Sequence, residues 1–382
     1  MATQKPPPEP QTPLDRDTFI DRQVAFQFGD CVAAPELDIA EFVRARAEQN
    51  ESLIYHDPAT QRFVPEDRGI GLVRAGETEW EVKLGRREVN SRTKKRANRA
   101  AGLLSGLYEA GLTSPVVINM EDAAGDTDFP FPVFQYNRRT GAKNVILWPF
   151  DRMHQIGGLA FCSPPDAAET PLAQKTPDVV WRGQLRGAST LDGETRSARS
   201  VVALFHKKQI DEAALRAHLL TVPRYAFVAR FFDNPGFDVG FIISEKHPEL
   251  QLPAITQYEK PYIAREAQLG HRYQVAIGGN DVASSFGWQI ATNCVILRAD
   301  PSYEAFFEGH FAPGEHYVPI AADFSDMQEK IAWCEANLNE CQVMVEKRHE
   351  LVGFLLEQRT RRKALRRVIK RYEEFYRQWS SQ

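Results

Sequence analysis

The sequence predicts an α/β protein whose second half forms a doubly wound parallel sheet, and three observations lead to that fold class. Apolar runs of strand length alternate with helical segments from residue 178 onward, which is typical of parallel strands joined by crossover helices. Glycines and small polar residues follow the apolar runs, as Gly278 to Asp281 do. The chain has 382 residues, of which 43% are hydrophobic, so it is long enough for two domains with buried cores.

The first half begins with a proline-rich stretch, residues 1–13, which predicts a disordered tail. Residues 86–110 predict a helix that is basic at its start and apolar at its end, and "SPVVIN" at 114–119 predicts a buried strand. We place a domain boundary in the proline-rich linker at 163–177. The expected domains are therefore 14–175 and 176–345.

The second half is predicted to alternate between strands and helices. In chain order the elements are a strand "DVVWRG" (178–183), a helix "TRSARSVVALFHKK" (195–208), a strand "RYAFVARFF" (224–232), a strand, helix and strand within 272–298, and a strand "EHYVPI" (315–320) that carries a structural His316. Ser325 and Gln328 match a capping box that would open a helix at 326–338.

The last segment, residues 346–382, is predicted to be a basic amphipathic helix docked across the two domains. Its apolar residues recur at helical spacing from Leu365 to Trp379, and basic residues cover the opposite face. The alternative is that this basic face lies on an anionic membrane surface.

The composition argues against several classes of protein. The formal net charge of −4 disfavours a general nucleic-acid binder, and no apolar run is long enough to cross a bilayer. Five cysteines without a CxxC pair indicate reduced thiols rather than a zinc site. The start of the chain lacks an apolar signal core, so we expect a cytoplasmic protein, with peripheral contact at the inner face of the membrane.

Three loops follow predicted strands, and their side chains differ in charge and function. They are candidate binding loops, because ligands of open α/β sheets bind beyond the carboxyl ends of the strands. The first loop places Asp122 where a carboxylate can act as a general base. It also contains Asp126-Thr127-Asp128, a pattern that holds metals in some enzymes, although a solvated acidic loop is the preferred interpretation. The second loop and the helix after it carry guanidinium groups that suit phosphate, on Arg182, Arg186, Arg196 and Arg199. The alternative for these arginines is ion pairing with Asp192 and Glu194.

The third loop, residues 278–285, lacks the third glycine of a dinucleotide-binding fingerprint. Its glycines indicate either a turn that requires φ > 0 or a close approach of the backbone to a phosphate. A helix N-terminus at Val282 to Ser285 would offer N–H groups, with hydroxyls on Ser284 and Ser285. The alternative is that Asp281 simply N-caps that helix.

Longer segments in the same order resemble glycosyltransferase family 90, which includes protein O-glucosyltransferases, capsule-associated xylosyltransferases and lipopolysaccharide-modifying enzymes. The resemblance is carried by "GGNDVASSFGWQIATNCVILR", "YEAFFEGHFAPGEHYVPI" and "FSDMQEKIAWCEANL", and also by "VVWRG" and "VVINMED". It covers residues 115 to 345 and is strongest from 270 to 335.

The resemblance implies a GT-B architecture: two Rossmann-like domains, an acceptor side and a donor side, facing across a cleft. It also implies that the C-terminal segment, residues 346–382, is a crossover helix that packs back on the N-terminal domain. It also implies inverting transfer of a hexose or pentose from a UDP-sugar to a glycan or lipid-linked glycan, with no cofactor or metal. Asp122 would be the base, and Arg182 and Arg199 would bind the diphosphate. The expected donor-binding residues are Arg182, Gly183, Arg186, Arg199, Gly279, Asp281, Val282, Ala283, Ser284 and Ser285.

The sequence departs from the family at two places. Many members have Arg-Asp-Tyr/Trp-Pro where this chain has "EDAA" at 121–124, and animal members have an arginine where this chain has Gly287. An alternative function is therefore a catalytically degraded protein that binds a UDP-sugar or a glycan. Another is a membrane or nucleic-acid module acting through the basic helices at 86–99 and 359–371, and the overall acidity disfavours nucleic acid. The absence of a secretion signal favours a role in lipopolysaccharide or capsule synthesis.

Overall fold

The computed structural model describes residues 15–32, 37–48, 53–65, 70–84, 91–119, 128–149, 161–166 and 168–381. The predicted tail at 1–13 and the predicted base Asp122 lie outside these residues.

The helices and strands alternate through most of the described chain. The helices are α1 (Arg16–Phe28), α2 (Ile39–Glu48), α3 (Ser91–Glu109), α4 (Ala198–His206), α5 (Glu212–Leu220), α6 (Pro223–Phe231), α7 (Pro253–Thr256), α8 (Arg265–Gln268), α9 (Phe286–Gln289), α10 (Met327–Ala336), α11 (Leu338–Leu356) and α12 (Gln358–Ser380). The strands are β1 (Leu53–Asp57), β2 (Arg62–Val64), β3 (Ile70–Arg74), β4 (Trp80–Leu84), β5 (Val116–Asn119), β6 (Val133–Gln135), β7 (Asn137–Arg139), β8 (Val145–Leu147), β9 (Thr176–Gly183), β10 (Ala188–Leu191), β11 (Glu194–Ser197), β12 (Phe237–Phe241), β13 (His271–Ala276), β14 (Val295–Arg298), β15 (Tyr303–Ala305) and β16 (Val318–Pro319).

The second half contains a five-stranded sheet in the order β12-β9-β13-β14-β16, and its neighbouring strands pair in parallel. Alternate residues of β13 enter different clusters: Tyr273 and Val275 pack in one, and Ala276 packs in another with Ile296 of β14. Both faces of the sheet are therefore covered, as parallel sheets require. The predicted parallel α/β arrangement of this half is confirmed.

The first half contains a mixed sheet in the order β2-β1-β5-β6-β8, in which β5, β6 and β8 run parallel and β1 is antiparallel to β5. Ile118 and Phe134 point into a core shared with α3 and α12, and Val117 and Val133 point to the other face. Helix α12 covers the first face with an apolar stripe that repeats at helical spacing. The residues of this stripe are Ala364, Val368, Ile369 and Tyr372.

A short ladder connects the two halves of the chain. Strand β7 pairs antiparallel with β15, so that Asn137 lies opposite Ala305 and Arg139 lies opposite Tyr303. A partly buried ion pair between Arg138 and Glu304, 2.9 Å from Nε to Oε2, reinforces the ladder. This connection fixes β7 next to the second half of the chain.

Several predicted elements are wrong. The segment 224–232 is not a strand, because α6 begins with Pro223 in its first turn and buries Tyr225, Phe227, Val228 and Phe231 at helical spacing. The predicted helix at 195–208 begins later, at Ala198, and Ser197 is its N-cap. No capping box opens α10, because its N-cap position is Asp326, whose carboxylate accepts a hydrogen bond from the backbone N–H of Ala321. His316 precedes β16 rather than lying on it, and its Nδ1 accepts from the backbone N–H of Ala312.

Candidate active site

The loops after β9 and β13 meet where the connections of the second sheet reverse direction. The chain leaves β9, forms β12 on one side of it, and returns to form β13 on the other side. Ligands of open α/β sheets bind at such a switch point, beyond the carboxyl ends of the two strands. Two adjoining cavities of about 410 and 470 Å³ lie there.

We call the smaller one the arginine-lined cavity, because Arg99, Arg182, Arg186 and Arg224 line it. Residues from both halves form its wall: Arg99 lies on α3 and Tyr136 follows β6, while the other arginines belong to the second half. The Arg99 guanidinium lies over the Tyr136 ring, 5.6 Å from its centroid. The cavity also contains Gly183, Gly279, Asp281, Val282, Ser284 and Ser285 of the predicted donor site.

Arg224 on α6 holds the two loops together. Its Nη1 donates to the carbonyl of Gln184 at 3.2 Å, and its Nη2 and Nε donate to those of Ile277 and Gly278, both at 3.1 Å. Burial lowers the pKa of Arg224 to about 10, against the influence of nearby Asp281 and with that of Arg186, so the group remains charged at neutral pH. Sequence reasoning missed Arg224 because it assigned α6 as a strand. Pro223 was the signal, since proline favours the first turn of a helix.

Arg182 lines both cavities, but its guanidinium is directed into the protein. Nη2 donates to the two carboxylate oxygens of Asp238 at 2.8 and 2.9 Å, and Nη1 and Nε donate to the backbone carbonyls of Trp181, Asp238 and Pro261. The side chain is only 4% exposed. This geometry disfavours Arg182 as a diphosphate ligand, a role that stays a prediction.

The remaining predicted arginines lie in different environments. Arg186 lines the arginine-lined cavity and donates to the Gln184 side chain at 3.2 Å. Arg199, in the first turn of α4, pairs with Nε2 of His247 at 2.5 Å and is not among the described residues that line either cavity. Arg196 lies on β11, not on a helix, and forms an ion pair with Glu194. The alternative of ion pairing is therefore correct for Arg196.

The surroundings of the glycines in the 278–285 loop explain why small residues are needed there. Neither Gly278 nor Gly279 has a positive φ, so the turn interpretation is wrong. A Cβ on Gly278 would lie 2.9 Å from the backbone oxygen of Asp281, and one on Gly279 would lie 3.1 Å from Nη2 of Arg224. The glycines therefore permit close approach, and the group that approaches Gly279 in this structure is a guanidinium.

Asp281 does not cap a helix, and no helix begins at Val282. Helix α9 is a single turn that starts at Phe286, preceded by Ser285 without a side-chain cap. The carboxylate of Asp281 instead accepts a hydrogen bond at 2.7 Å from Nδ2 of Asn137, a residue of the first half. The predicted helix-end N–H groups at 282–285 are therefore wrong, because these residues form a bend and a turn rather than a helical first turn.

We call the larger cavity the aromatic cavity. Rings from several elements line it, on Phe161, Trp181, Tyr262, Trp288 and Phe307. It shares Trp181, Arg182, Val282, Ser284 and Ser285 with the arginine-lined cavity, and Ala283 also belongs to it. Gly287 lies in its wall, where a Cβ would be 2.4 Å from Cε2 of Phe161. Phe161 thus occupies the space next to Gly287, one of the two places at which the sequence departs from the family that it resembles.

The predicted base Asp122 lies outside the described residues, which resume at Asp128. Asp128 accepts a hydrogen bond at 2.8 Å from the backbone N–H of Lys143, a structural role. Within the described ranges, no group of three or more His, Cys, Asp or Glu side chains is placed to hold a metal ion, and no helix combines the length and apolarity needed to cross a membrane. All five cysteines are free, as the sequence predicts.

A larger cavity of about 1040 Å³ lies elsewhere, between α3, β4 and the start of α12. It contains none of the predicted site residues. The pair of cavities at the switch point is the better candidate, because they combine the strand ends, the arginines and the predicted residues.

The chain is similar in sequence to known proteins. The family described as "Glycosyl transferase family 90" matches residues 113–377, which is more than half of the chain. The chain is similar to "O-glucosyltransferase LpsA" of Dichelobacter nodosus, with 34% identity over 113 residues, covering 29% of this chain and 33% of that protein. It is also similar to human "Protein O-glucosyltransferase 3", with 26% identity over 30% of this chain and 25% of that protein. The matched parts thus span a third or less of these relatives, and both have transferase names.

Proposed function

The chain belongs to glycosyltransferase family 90, and we propose that it is an inverting, metal-independent enzyme that transfers a hexose or pentose from a UDP-sugar to a hydroxyl of a glycan. The proposed acceptor is a lipopolysaccharide or capsule precursor, free or lipid-linked. Relatives with O-glucosyltransferase names make UDP-glucose the first donor to test.

The arginine-lined cavity is the observation that carries this proposal. A site for a nucleoside diphosphate needs cations that remain charged at neutral pH and a cavity wall without bulky side chains next to the phosphates. Arg186, Arg224 and Arg99 supply the charge, and Gly279 allows the Arg224 guanidinium to lie close to the backbone of the cavity wall. Guanidinium groups bind phosphate oxygens with charge-assisted hydrogen bonds about twice as strong as neutral ones.

Most of the rate enhancement is expected to come from stabilising the diphosphate leaving group. Negative charge develops on the diphosphate as the bond from the anomeric carbon to the phosphate oxygen breaks, so fixed cations stabilise the transition state more than the ground state. Three backbone carbonyls accept from Arg224, so its position costs little reorganisation during the reaction. These bonds use three of its five N–H groups, whereas partners among the described residues use all five of Arg182. In this proposal Arg224 and Arg186 bind the diphosphate, which is the role that the sequence analysis predicted for Arg182 and Arg199.

The acceptor hydroxyl needs a base on the opposite face of the sugar, because direct displacement inverts the anomeric centre. Asp122 is the proposed base: it follows β5, whose carboxyl end Asn119 is linked to Asp281 through Gln135 and Asn137. A positioned base contributes a factor of about 10²–10⁴ to the rate. In this proposal the two sheets face each other in a GT-B arrangement, and the exposed basic residues of α12 meet the anionic membrane surface that carries the acceptor.

The test is release of UDP from UDP-glucose, UDP-galactose and UDP-xylose by the full chain, with a lipopolysaccharide or capsule fraction as acceptor. We expect turnover with one donor, an inverted anomeric configuration in the product, and no effect of a chelator. Asp122→Asn should abolish turnover and keep UDP affinity, and Asp128→Asn, in the same loop, is the matched control. Full turnover by Asp122→Asn would remove Asp122 from the mechanism. Tight UDP binding without turnover of any donor would favour the catalytically degraded protein.

A further inference from the structure

We propose that the aromatic cavity binds the glycosyl group of the donor. In this proposal Trp288 is the apolar contact for the sugar ring, and Gln289 accepts a hydrogen bond from one of its hydroxyls. The inference rests on the proposed function, since it assigns the sugar of a UDP-sugar to one of the two adjoining cavities. Both residues belong to the single-turn helix α9, and the sequence analysis gave a role to neither.

The aromatic cavity adjoins the proposed diphosphate site. The two cavities share Val282, Ser284 and Ser285 of one loop, and Trp181 and Arg182 line both. The aromatic cavity has a volume of about 470 Å³, which is within the range of small-molecule sites. Two groups of a UDP-sugar are bonded to the diphosphate, the sugar and the uridine. The side chains of the wall therefore decide which of the two fits.

Two of the aromatic side chains combine an apolar ring with an unused polar group. Tyr262 is 70% exposed, and Trp288 is half-buried, with the guanidinium carbon of Arg265 lying 5.3 Å from its ring centroid. Neither the Tyr262 hydroxyl nor the Trp288 indole N–H has a hydrogen-bond partner among the described residues. A sugar ring presents apolar C–H groups and polar hydroxyls side by side, so amphipathic aromatic residues suit it.

Gln289 supplies a buried acceptor in the same wall. The residue is 3% exposed and lines the cavity, and within the described ranges its Oε1 has no hydrogen-bond partner. Its Nε2 makes a long bond of 3.4 Å to the backbone oxygen of Val275, so the amide is held weakly. A buried polar atom without a partner is costly, and most such atoms in proteins are hydrogen-bonded. A hydroxyl of a bound ligand would give Oε1 the donor that it lacks.

The polar groups of the wall suit a sugar better than uracil. Besides Gln289, the wall contains the carboxylate of Glu308, which is paired with Arg298. Uracil joined to ribose has one N–H donor and two carbonyl oxygens, and those oxygens would be repelled by a carboxylate. A hexose or pentose has several hydroxyls, and each can donate. Apart from Phe161, the described residues of the wall lie in the second half of the chain, which favours the sugar of the donor over that of the acceptor.

The experiment compares UDP with UDP-glucose, UDP-galactose and UDP-xylose in calorimetric titrations of the full chain. We expect Trp288→Ala to weaken binding of the UDP-sugar that the wild type prefers by about three- to tenfold, the scale of one aromatic contact. Affinity for UDP, which has no glycosyl group, should change less than about twofold. Tyr262→Ala should show the same selective loss, and the exposure of Tyr262 means that its removal leaves the core intact.

Gln289→Leu separates a binding role from a structural one. Leucine has a similar volume and no polar atom, so urea unfolding should show a stability at least equal to that of the wild type. Affinity for the same UDP-sugar should fall by about three- to tenfold, the scale of one hydrogen bond. A variant that loses stability and keeps its affinity for the UDP-sugar would make Gln289 a structural residue and overturn its assignment.

Trp333→Ala is the matched control, because Trp333 is exposed on α10 and is not among the described residues that line either cavity. Its affinities should equal those of the wild type. Equal weakening of UDP and the UDP-sugar in Trp288→Ala would place the uridine in the aromatic cavity, and unchanged affinity for both would place the sugar elsewhere. Either result would overturn the inference and leave the proposed function standing. A wild-type chain that binds neither UDP nor a UDP-sugar would instead overturn both.

Discussion

Arg182→Met tests whether Arg182 is part of the scaffold or a ligand of the donor. The substitution keeps an unbranched side chain of similar length and removes the guanidinium. In the structure that group donates to both oxygens of Asp238 and to three backbone carbonyls, and its side chain is 4% exposed. We therefore expect a large loss of stability and a small change in UDP affinity.

The expected loss of stability depends on the partners that Asp238 keeps in the variant. Removing one member of a buried ion pair costs about 3–5 kcal/mol, because the other charge stays behind. Asp238 is about a third exposed and keeps Lys260 at 2.7 Å, so it is screened by water and by a second cation. We expect the low end of the range, about 3 kcal/mol. Burial disfavours the ionised Asp238, but hydrogen bonds from Lys260 and Arg182 outweigh it and lower the pKa of this carboxyl, which agrees with a genuine ion pair.

The assay is urea unfolding together with calorimetric titration of UDP. Arg216→Met is the matched control, because Arg216 pairs with Glu212 on the exposed face of α5, where ion pairs contribute little. The control should keep the wild-type unfolding midpoint, and Arg182→Met should lower it while UDP affinity changes less than about threefold, well within the range of one hydrogen bond. A variant with wild-type stability and no UDP binding would refute this reasoning and make Arg182 a donor ligand.

Three further predictions concern Arg224, Gly278 and the buried His310. Arg224→Met should weaken UDP binding at least tenfold in calorimetry, because it removes one charged group from the cavity and the tie between its two loops. Gly278→Ala should lower the free energy of unfolding in urea by about 1–3 kcal/mol, since its Cβ would lie 2.9 Å from a backbone oxygen. Burial lowers the pKa of His310 to about 3, below its unfolded-state value near 6.5. Its contribution to stability is therefore complete above pH 6.5 and is lost as the pH falls toward 3, by about 1.4 kcal/mol per pH unit, and His310→Phe should reduce this acid sensitivity in urea titrations between pH 7 and 4.

Each of these predictions has an outcome that contradicts it. UDP affinity unchanged in Arg224→Met would place the diphosphate elsewhere. Gly353→Ala is the control for Gly278→Ala: a Cβ there meets nothing within 4 Å, and alanine favours a helix, so stability should rise. Equal effects of the two alanines would remove the close-approach explanation. An unchanged pH dependence in His310→Phe would mean that His310 does not resist protonation.

The parallel sheet of the second half was predictable because its signal is local and repeated. Strands β9 and β14 contain the apolar runs "VVW" and "VIL", and β13 is buried from Arg272 to Ala276, as expected for strands covered on both faces. The loops beyond these strands were predicted as the site for the same reason, since the carboxyl ends of parallel strands meet at one edge. Most of the predicted donor residues do gather there, although their role as ligands stays a prediction.

Helix α6 shows where a short apolar run misleads. Its nine residues carry aromatic side chains that favour strands, and periodicity cannot separate a buried strand from a buried helix at this length. Tertiary packing decides, because Tyr225, Phe227, Val228 and Phe231 all reach the core from helical positions. Because α6 was assigned as a strand, Arg224 was not predicted as a site residue.

Asp281 shows a second limit of prediction from sequence, which is that contacts between residues far apart in the chain leave no local pattern. Its sequence neighbours suggest a helix cap, and its actual partner, Asn137, lies 144 positions away on a strand of the other half. Nothing local in either segment encodes that contact. The direction of the Arg182 side chain depends in the same way on Asp238, 56 positions away. Sequence patterns predicted the candidate site, and long-range contacts determine how the side chains of Asp281 and Arg182 are oriented in it.

The most direct measurement is a calorimetric titration of the full chain with UDP, GDP, CMP and ADP, repeated with Arg224→Met. Binding of UDP alone, lost or strongly weakened in the variant, is the result expected if the arginine-lined cavity binds the diphosphate of a UDP-sugar. Equal binding of all four nucleotides, or UDP binding that does not depend on Arg224, would contradict that assignment.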